Sequence, residues 1–342
     1  MGEANMGEAR QNRLDAFLKG AGWETAVRAP LSVDASFRRY IRLTLDGKSA
    51  LVMDAPPPHE DVRPFIQVDT HLRLLGLSAP EIFAEDVEGG FLLLEDFGDA
   101  TFTNLLASGA DERTLYQLAT DTLIALHALD QAASIPGWLG PYDDVKLRDE
   151  AALLLDWFMP AHGIEVPTHA RAEFERICYD LFTHVHAGPH TLVLRDYHVD
   201  NLMRLGKRDG IKACGLLDFQ DALAGHPAYD LMSLLQDARR DIPQDLQADM
   251  LDRYCDALDI AGAARTDFER AYTILAAQRH AKVIGIFTRL DRRDGKPVYL
   301  KHIGRLWRLL ETALDHPDLA SLKSWMDEHI AHDKRRAPEV SG

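Results

Sequence analysis

The sequence predicts an α+β fold of two lobes, a small β-rich lobe first and a large helical lobe after it. Three observations carry this reading. Residues 25–96 hold short runs of alternating apolar and polar residues broken by turn signals, with one helical segment among them. From Asp111 to His329 the apolar spacing is that of amphipathic helices. In between, the stretch from Leu192 to Leu231 interrupts the helices with two short apolar runs and most of the chain's chemistry.

Taken in order, Met1-Gly2-Glu3-Ala4 recurs as Met6-Gly7-Glu8-Ala9, so residues 1–10 are expected to be a disordered tail. Leu14, Phe17 and Leu18 have helical spacing, and Gly20 and Gly22 end that helix near Lys19. Phe37, Arg39, Ile41, Leu43 and Leu45 alternate with Arg38, Tyr40, Arg42 and Thr44 in a strand. Asp46-Gly47 turns it into the next strand, Ser49 to Asp54. A helix is expected over Val62 to Leu75, then strands over Glu81 to Ala84 and Gly90 to Leu94. Helices follow at Asp111–Ala133, Asp149–Phe158 and Thr168–His186, and after the interruption at Tyr229–Ala238, Gln244–Leu258, Asp267–Ile284, Lys301–Leu314 and Leu319–His329. This divides the chain into a β-rich lobe over residues 11–96, a helical lobe over 97–333 and a solvated tail over 334–342.

Composition removes several function classes. A formal charge of −16 argues against a nucleic-acid footprint, which needs a basic face. Cys178, Cys214 and Cys255 are too widely spaced for a metal or redox motif and suit small buried hydrophobes. No apolar run reaches the roughly 18 residues of a membrane span, and no secretory leader is evident. A cytoplasmic protein with no membrane or nucleic-acid partner is expected; the oligomeric state is left open.

The chemistry lies in the interruption. Leu192-Val193-Leu194 is a buried strand, followed by Arg195, Asp196 and a polar turn that ends at Asn201. A second strand, Cys214 to Leu217, ends at Asp218. An Asp and an Asn five positions apart, then an Asp at a strand end, suit phosphoryl transfer. Asp196 is placed to accept a proton from an attacking hydroxyl. Asn201 and Asp218 supply the hard oxygen ligands that Mg²⁺ takes while it neutralises the charge of ATP. The kinase signature H-R-D-x-x-x-x-N fits at this spacing with Leu194 in place of its His, and Asp218-Phe219-Gln220 stands where D-F-G would be.

Asp196-Tyr197-His198-Val199-Asp200-Asn201, Leu217-Asp218-Phe219-Gln220-Asp221 and Gly225-His226-Pro227-Ala228-Tyr229-Asp230-Leu231 resemble the motifs of the aminoglycoside phosphotransferase family of kinase-like enzymes. Asp34 to Tyr40, Met53 to Pro57 and Gly285 to Leu290 are most similar to its anomeric kinases of N-acetylmuramate and N-acetylglucosamine. The resemblance covers roughly residues 10–330. It implies a two-lobed protein-kinase-like fold, ATP and Mg²⁺, and phosphorylation of the anomeric hydroxyl of an amino sugar in cell-wall recycling. Leu94-Glu95-Asp96-Phe97-Gly98 then stands as the hinge, with Glu95 and Phe97 toward the adenine. Arg195, Asp200, Gln220 and Asp221 are candidates for substrate contacts, with loop bracing or capping as their structural alternative.

Two features depart from the kinase pattern. The phosphate loop, Leu31 to Ser36, has no glycine; Ser36 is its candidate nucleotide contact. The strand lysine is also missing, its position falling on Met53 or Asp54. Arg38 and Arg39 are the substitutes, on opposite strand faces. Arg39 is preferred, because an arginine among apolar neighbours needs a partner such as a triphosphate.

The short segment after Asp218 leaves no platform for a polypeptide substrate, so the acceptor is small. Arg289, Arg292, Arg293, Lys296, Lys301, Arg305 and Arg308 make a basic stretch in an acidic chain, either a solvated surface or a draw for an anionic sugar. Trp157 is a core residue or a stacking platform. The alternatives are a kinase of another small alcohol (an aminoglycoside, choline or homoserine) and a pseudokinase that binds without turnover.

Overall fold

The computed structural model describes residues 2–31 and 38–341. The chain divides into two compact units, one holding residues up to Asp111 together with Val199–Asp221, the other Glu112–His198 and everything from Ala222 onward.

The first unit is built on an antiparallel sheet in the order β1-β2-β3-β5-β4. Its strands are β1 (Val27–Pro30), β2 (Arg39–Leu45), β3 (Lys48–Asp54), β4 (Ile82–Asp86) and β5 (Phe91–Glu95). Asp46 and Gly47 both take positive φ, 49° and 75°, the conformation a two-residue hairpin needs to match strand twist. The register Leu45↔Lys48 follows from it. One sheet face is apolar. Leu43, Ala50, Val52, Phe91 and Leu93 pack there on Leu14 and Leu18 of α1 (Gly2–Gly20).

α1 begins earlier than its apolar spacing indicates, within the stretch expected to be a tail. Arg10 explains the extension: it pairs with Asp54, and its guanidinium lies 3.8 Å above the Phe91 ring. The missing-lysine position is thus divided. Met53 is 1 % exposed, and Asp54 is engaged by the N-terminal helix.

α2 (Arg63–Leu74) buries Phe65, Val68, Asp69 and Leu72. The hairpin β7 (Leu202–Arg204) and β8 (Cys214–Leu216) belongs to this unit, although the sequence places it far away. Backbone bonds explain the attachment. The Leu216 amide donates to the Ser78 carbonyl at 2.8 Å, and the Ser78 hydroxyl donates to the Lys212 carbonyl at 2.7 Å. Gly215 is required here, since a Cβ would meet the Phe97 ring at 2.9 Å. The sheet unit continues through α3 (Phe102–Ala107) and takes in the hairpin.

The second unit is helical. α4 (Glu112–His127), α5 (Asp144–Ala151), α6 (Thr168–His186), α7 (Ala228–Leu235), α8 (Gln244–Ala257), α9 (Ala263–Arg292), α10 (Ile303–Leu314) and α11 (Ala320–His329) follow the expected order. α9 is its axis and is buried around most of its circumference. It runs past the expected end at Ile284. Gly285 lies inside it and lets the chain at Leu153 approach so closely that a Cβ would lie 2.3 Å from the Leu153 carbonyl carbon. The residues after Leu153 form a π-helical turn, Leu154–Phe158. The strand β6 (Thr191–Val193) pairs with β9 (Leu223–Gly225) and sets the catalytic segment beside α7. The C-terminal stretch is docked rather than solvated: Arg335 pairs with Glu311 and Asp327, and Ser341 donates to Asp291. The three cysteines are free and buried. Among the described residues no helix is long and apolar enough to cross a membrane.

Asp69 gives a test of this packing. It is 1 % exposed, one carboxylate oxygen has no partner among the described residues, and burial pushes its pKa up to about 7. An unfolded Asp ionises near pH 4, so this group costs stability progressively as pH rises from there to about 7. Asp69→Asn should therefore raise unfolding stability by roughly 2 kcal/mol more at pH 8 than at pH 5. Urea denaturation at both pH values measures this, and equal gains would contradict it.

Candidate active site

The catalytic segment is held by one buried carboxylate. Asp230, fully buried in α7, accepts the Leu194 amide at 2.6 Å and the Arg195 amide at 2.9 Å. Arg195 takes a φ of 69°, a conformation costly for a residue with a side chain. The two amide bonds offset that cost and turn the chain so that Asp196 follows. Burial pushes the Asp230 carboxyl up to about 7 against the pull of those amides.

Arg195 points into a polar network inside the helical unit. Its guanidinium pairs with Glu150 of α5 and lies 5.3 Å above the Tyr142 ring. Glu150 also holds Lys282 at 3.0 Å and accepts from Gln278 at 3.3 Å and from the Tyr142 hydroxyl. Against burial, Lys282 and Arg195 keep the Glu150 pKa low.

Asp196 faces the same cations from the other side. Arg279 donates to the Arg195 carbonyl at 2.9 Å and reaches the Asp196 carboxylate at 3.5 Å. The Arg279 side chain is 7 % exposed and that of Asp196 39 %, so the cation is buried and the carboxylate is open. Burial would raise the Asp196 pKa, but Arg279, Lys282, His198 and Arg195 hold it down at about 2. A carboxylate so held is ionised at neutral pH and ready to accept a hydroxyl hydrogen bond.

The second group lies in the sheet unit. Asp218 has a φ of 58° and an exposed side chain. Its carboxylate accepts from Gln220 at 2.8 Å and meets the Asn201 amide at 3.5 Å. Phe219 packs on Phe65 of α2 with ring centroids 4.9 Å apart, which anchors the turn. One carboxylate and one carboxamide suit Mg²⁺, which keeps several waters and takes few protein oxygens.

The other sequence-derived residues scatter. Asp200 accepts from Thr103 and Glu95 pairs with Arg208, while the Phe97 ring lies under Arg208 at 5.3 Å. Ser36 lies outside the described residues. Arg39 and Arg38 lie on opposite strand faces. Arg39 is exposed on the α1 side of β2 with Ile41 and Leu43. Arg38 lies on the other face, pairs with Glu60 at 3.1 Å and feels the charges of Asp218 and Asp221. The apolar neighbours that favoured Arg39 are the ones α1 covers.

Sequence reasoning missed Glu150, Arg279 and Lys282. The available signal was Gln278-Arg279-His280-Ala281-Lys282, a polar run in the middle of an otherwise core helix. Removing one cation tests the arrangement. In the unsubstituted protein the Asp196 carboxyl carbon should keep its ionised chemical shift down to about pH 4; in Arg279→Gln it should begin to titrate between about pH 4 and 5. A flat NMR titration in the variant would remove Arg279 from the set that holds Asp196 ionised.

Comparison with known proteins agrees with this geometry. A sequence model of the phosphotransferase enzyme family matches residues 27–272. An N-acetylmuramate/N-acetylglucosamine kinase of Pseudomonas aeruginosa is 43 % identical over 333 residues, covering 92 % of this chain and 95 % of that protein. A kinase of the same name from Caulobacter vibrioides is 36 % identical, covering 96 % and 98 %. Among solved structures, a choline/ethanolamine kinase family protein from Mesorhizobium loti superposes with a TM-score of 0.61 at 14 % identity, over 93 % of this chain and 99 % of that one. A streptomycin–ATP–APH(2")-IIa ternary complex gives 0.55 at 15 % identity, over 90 % and 96 %. These structures share the fold, and the sequence match gives the family: this chain belongs to the phosphotransferase enzyme family and is a kinase-like phosphotransferase.

Proposed function

We propose that the chain transfers the γ-phosphoryl group of ATP to the anomeric hydroxyl of N-acetylmuramate or N-acetylglucosamine. The observation that carries the reading is Asp196, ionised among buried cations yet open to a ligand. The acceptor hydroxyl donates a hydrogen bond to Asp196. Its oxygen attacks the γ-phosphorus, the bond to the ADP oxygen breaks, and the hydroxyl proton passes late to Asp196. A low pKa suits this order, because the proton moves only once the oxygen has become acidic. Asn201 and Asp218 would hold Mg²⁺, which supplies charge neutralisation to the phosphates when bound. The names of the relatives supply the acceptor.

Arg38 takes the place of the missing lysine in this reading. It shares a strand face with Tyr40 and Met53 and lies within the field of Asp218, where phosphates bound to a metal at Asp218 would sit. Glu60 keeps it oriented.

Asp196→Asn should retain fold and ATP binding while kcat falls by about 10²–10⁴ in an ADP-release assay with N-acetylmuramate. Near-normal kcat would remove Asp196 from the mechanism. Arg38→Ala should weaken ATP–Mg²⁺ about ten- to a hundredfold and leave adenosine unchanged, since a charge-assisted phosphate contact contributes about 1.5–3 kcal/mol. Arg39→Ala is the control from the opposite face. Calorimetric titration in which Arg39→Ala gives the ATP-selective loss would return the role to Arg39.

A further inference from the structure

The expected hinge, Leu94 to Gly98, is fastened from two sides within the sheet unit. Glu95 pairs with Arg208, and the Phe97 ring lies 5.3 Å from the same guanidinium and abuts Gly215 of β8. Asp96, between them, is taken by β2 and β3 instead. Ser49 of β3 donates to its carboxylate, and Arg42 of β2 donates to it at 3.0 Å. Arg42 also donates to the Gly98 carbonyl at 3.1 Å and to Asp99 at 3.0 Å. Asp96 in turn accepts the Gly98 amide at 2.9 Å, closing a turn in which Gly98 takes a φ of 81°. One planar guanidinium thus joins three acceptors over residues 96–99, a task suited to its fixed fork of donors. The Asp96 side chain is 4 % exposed and that of Asp99 79 %, so Asp96 is the anchor and Asp99 the lesser tie.

The clasp lies on the sheet face that the nucleotide reading uses. Arg42 opposes Leu51 on β3 and Leu51 opposes Leu94 on β5, so the three share a face beside the hinge. It is the face away from α1, because Ile41, Leu43 and Leu45 pack on the α1 side. Arg38, Tyr40 and Arg42 therefore follow one another along it. Arg38 and Arg42 stand four residues apart, about 13 Å along the strand. The first feels the charge of Asp218 and the second holds the hinge. Among the described residues the Phe97 amide and carbonyl have no backbone partner. They are a donor and an acceptor on a segment tied down on both sides.

We infer that Arg42 is a positioning residue for the nucleotide: by fixing Asp96, Gly98 and Asp99 against β2, it presents the Phe97 backbone to the adenine base in one conformation. The inference rests on the ATP reading above and deepens it. A base that meets a preformed backbone does not have to order it, so Arg42 contributes to affinity without touching the ligand. The contribution concerns the base alone. It is therefore the same for adenosine as for ATP, whereas the contribution proposed for Arg38 belongs to the phosphates.

The test titrates ATP–Mg²⁺ and adenosine into the full chain by calorimetry and follows with steady-state kinetics. Arg42→Gln should weaken both ligands by the same factor, about tenfold, the cost of ordering a released residue or two. KM for ATP should rise by that factor, with kcat and the KM for the sugar near the parent values. Arg42→Lys keeps the charge but not the fork, so it should weaken both ligands equally and less; it also serves if Arg42→Gln does not fold. An arginine that only stabilises the fold would lower unfolding stability in urea and leave adenosine affinity unchanged, and that result would overturn the inference. So would a loss confined to ATP, which would make Arg42 a phosphate contact. A parent protein that binds neither ATP–Mg²⁺ nor adenosine would overturn the ATP reading, and this inference with it.

Discussion

The helical unit depends on one electrostatic constraint: two buried cations and a half-buried third must be compensated without neutralising Asp196. Arg195, Arg279 and Lys282 all approach the catalytic segment from inside. Glu150 takes two of them, and Arg279 stands 3.5 Å from Asp196. Without Glu150 the cations would carry unopposed charge in the core, a state that costs several kcal/mol. The aromatic hydroxyls complete the network. Tyr142 donates to Glu150, and Tyr229 accepts from Arg279 at 3.2 Å. Reach and desolvation explain the composition: a guanidinium bonds a backbone carbonyl and a carboxylate at once, which Arg279 does.

Strain is distributed in the same economical way. Arg195 and Asp218 both take left-handed φ values, and both stand next to or at residues assigned to chemistry. Each is anchored by a neighbour on a helix or sheet rather than by its own loop, Arg195 through Asp230 and Asp218 through Phe219 against Phe65. The rigid elements thus determine where the carboxylates point.

The order of elements was legible because strand alternation and helical leucine spacing are local signals; Thr168–His186 appears with the bounds the spacing gave it. The candidate residues Asp196, Asn201 and Asp218 were legible because their spacing is a consequence of one turn and one hairpin. The network behind Asp196 was not, since Glu150 and Lys282 are far apart in sequence and meet through packing of α5 on α9. The proposal of Arg38 over Arg39 rests on which sheet face α1 covers, and alternation alone gives two faces without saying which is inside.

The hairpin β7–β8 has a consequence for how this molecule comes into being. The sheet unit is discontinuous in the chain, made of its first 111 residues and of Val199–Asp221. A growing nascent chain therefore emits five strands and must then wait through the residues up to His198 before the hairpin that meets Ser78 and Phe97 appears. Contacts of such long sequence separation raise the contact order and slow the closing step. The helical unit is split likewise, its second segment beginning only at Ala222. The turn bearing Asn201 and Asp218 is the last piece of its unit to arrive, so the proposed metal ligands come together only after the first segment of the helical unit has been made.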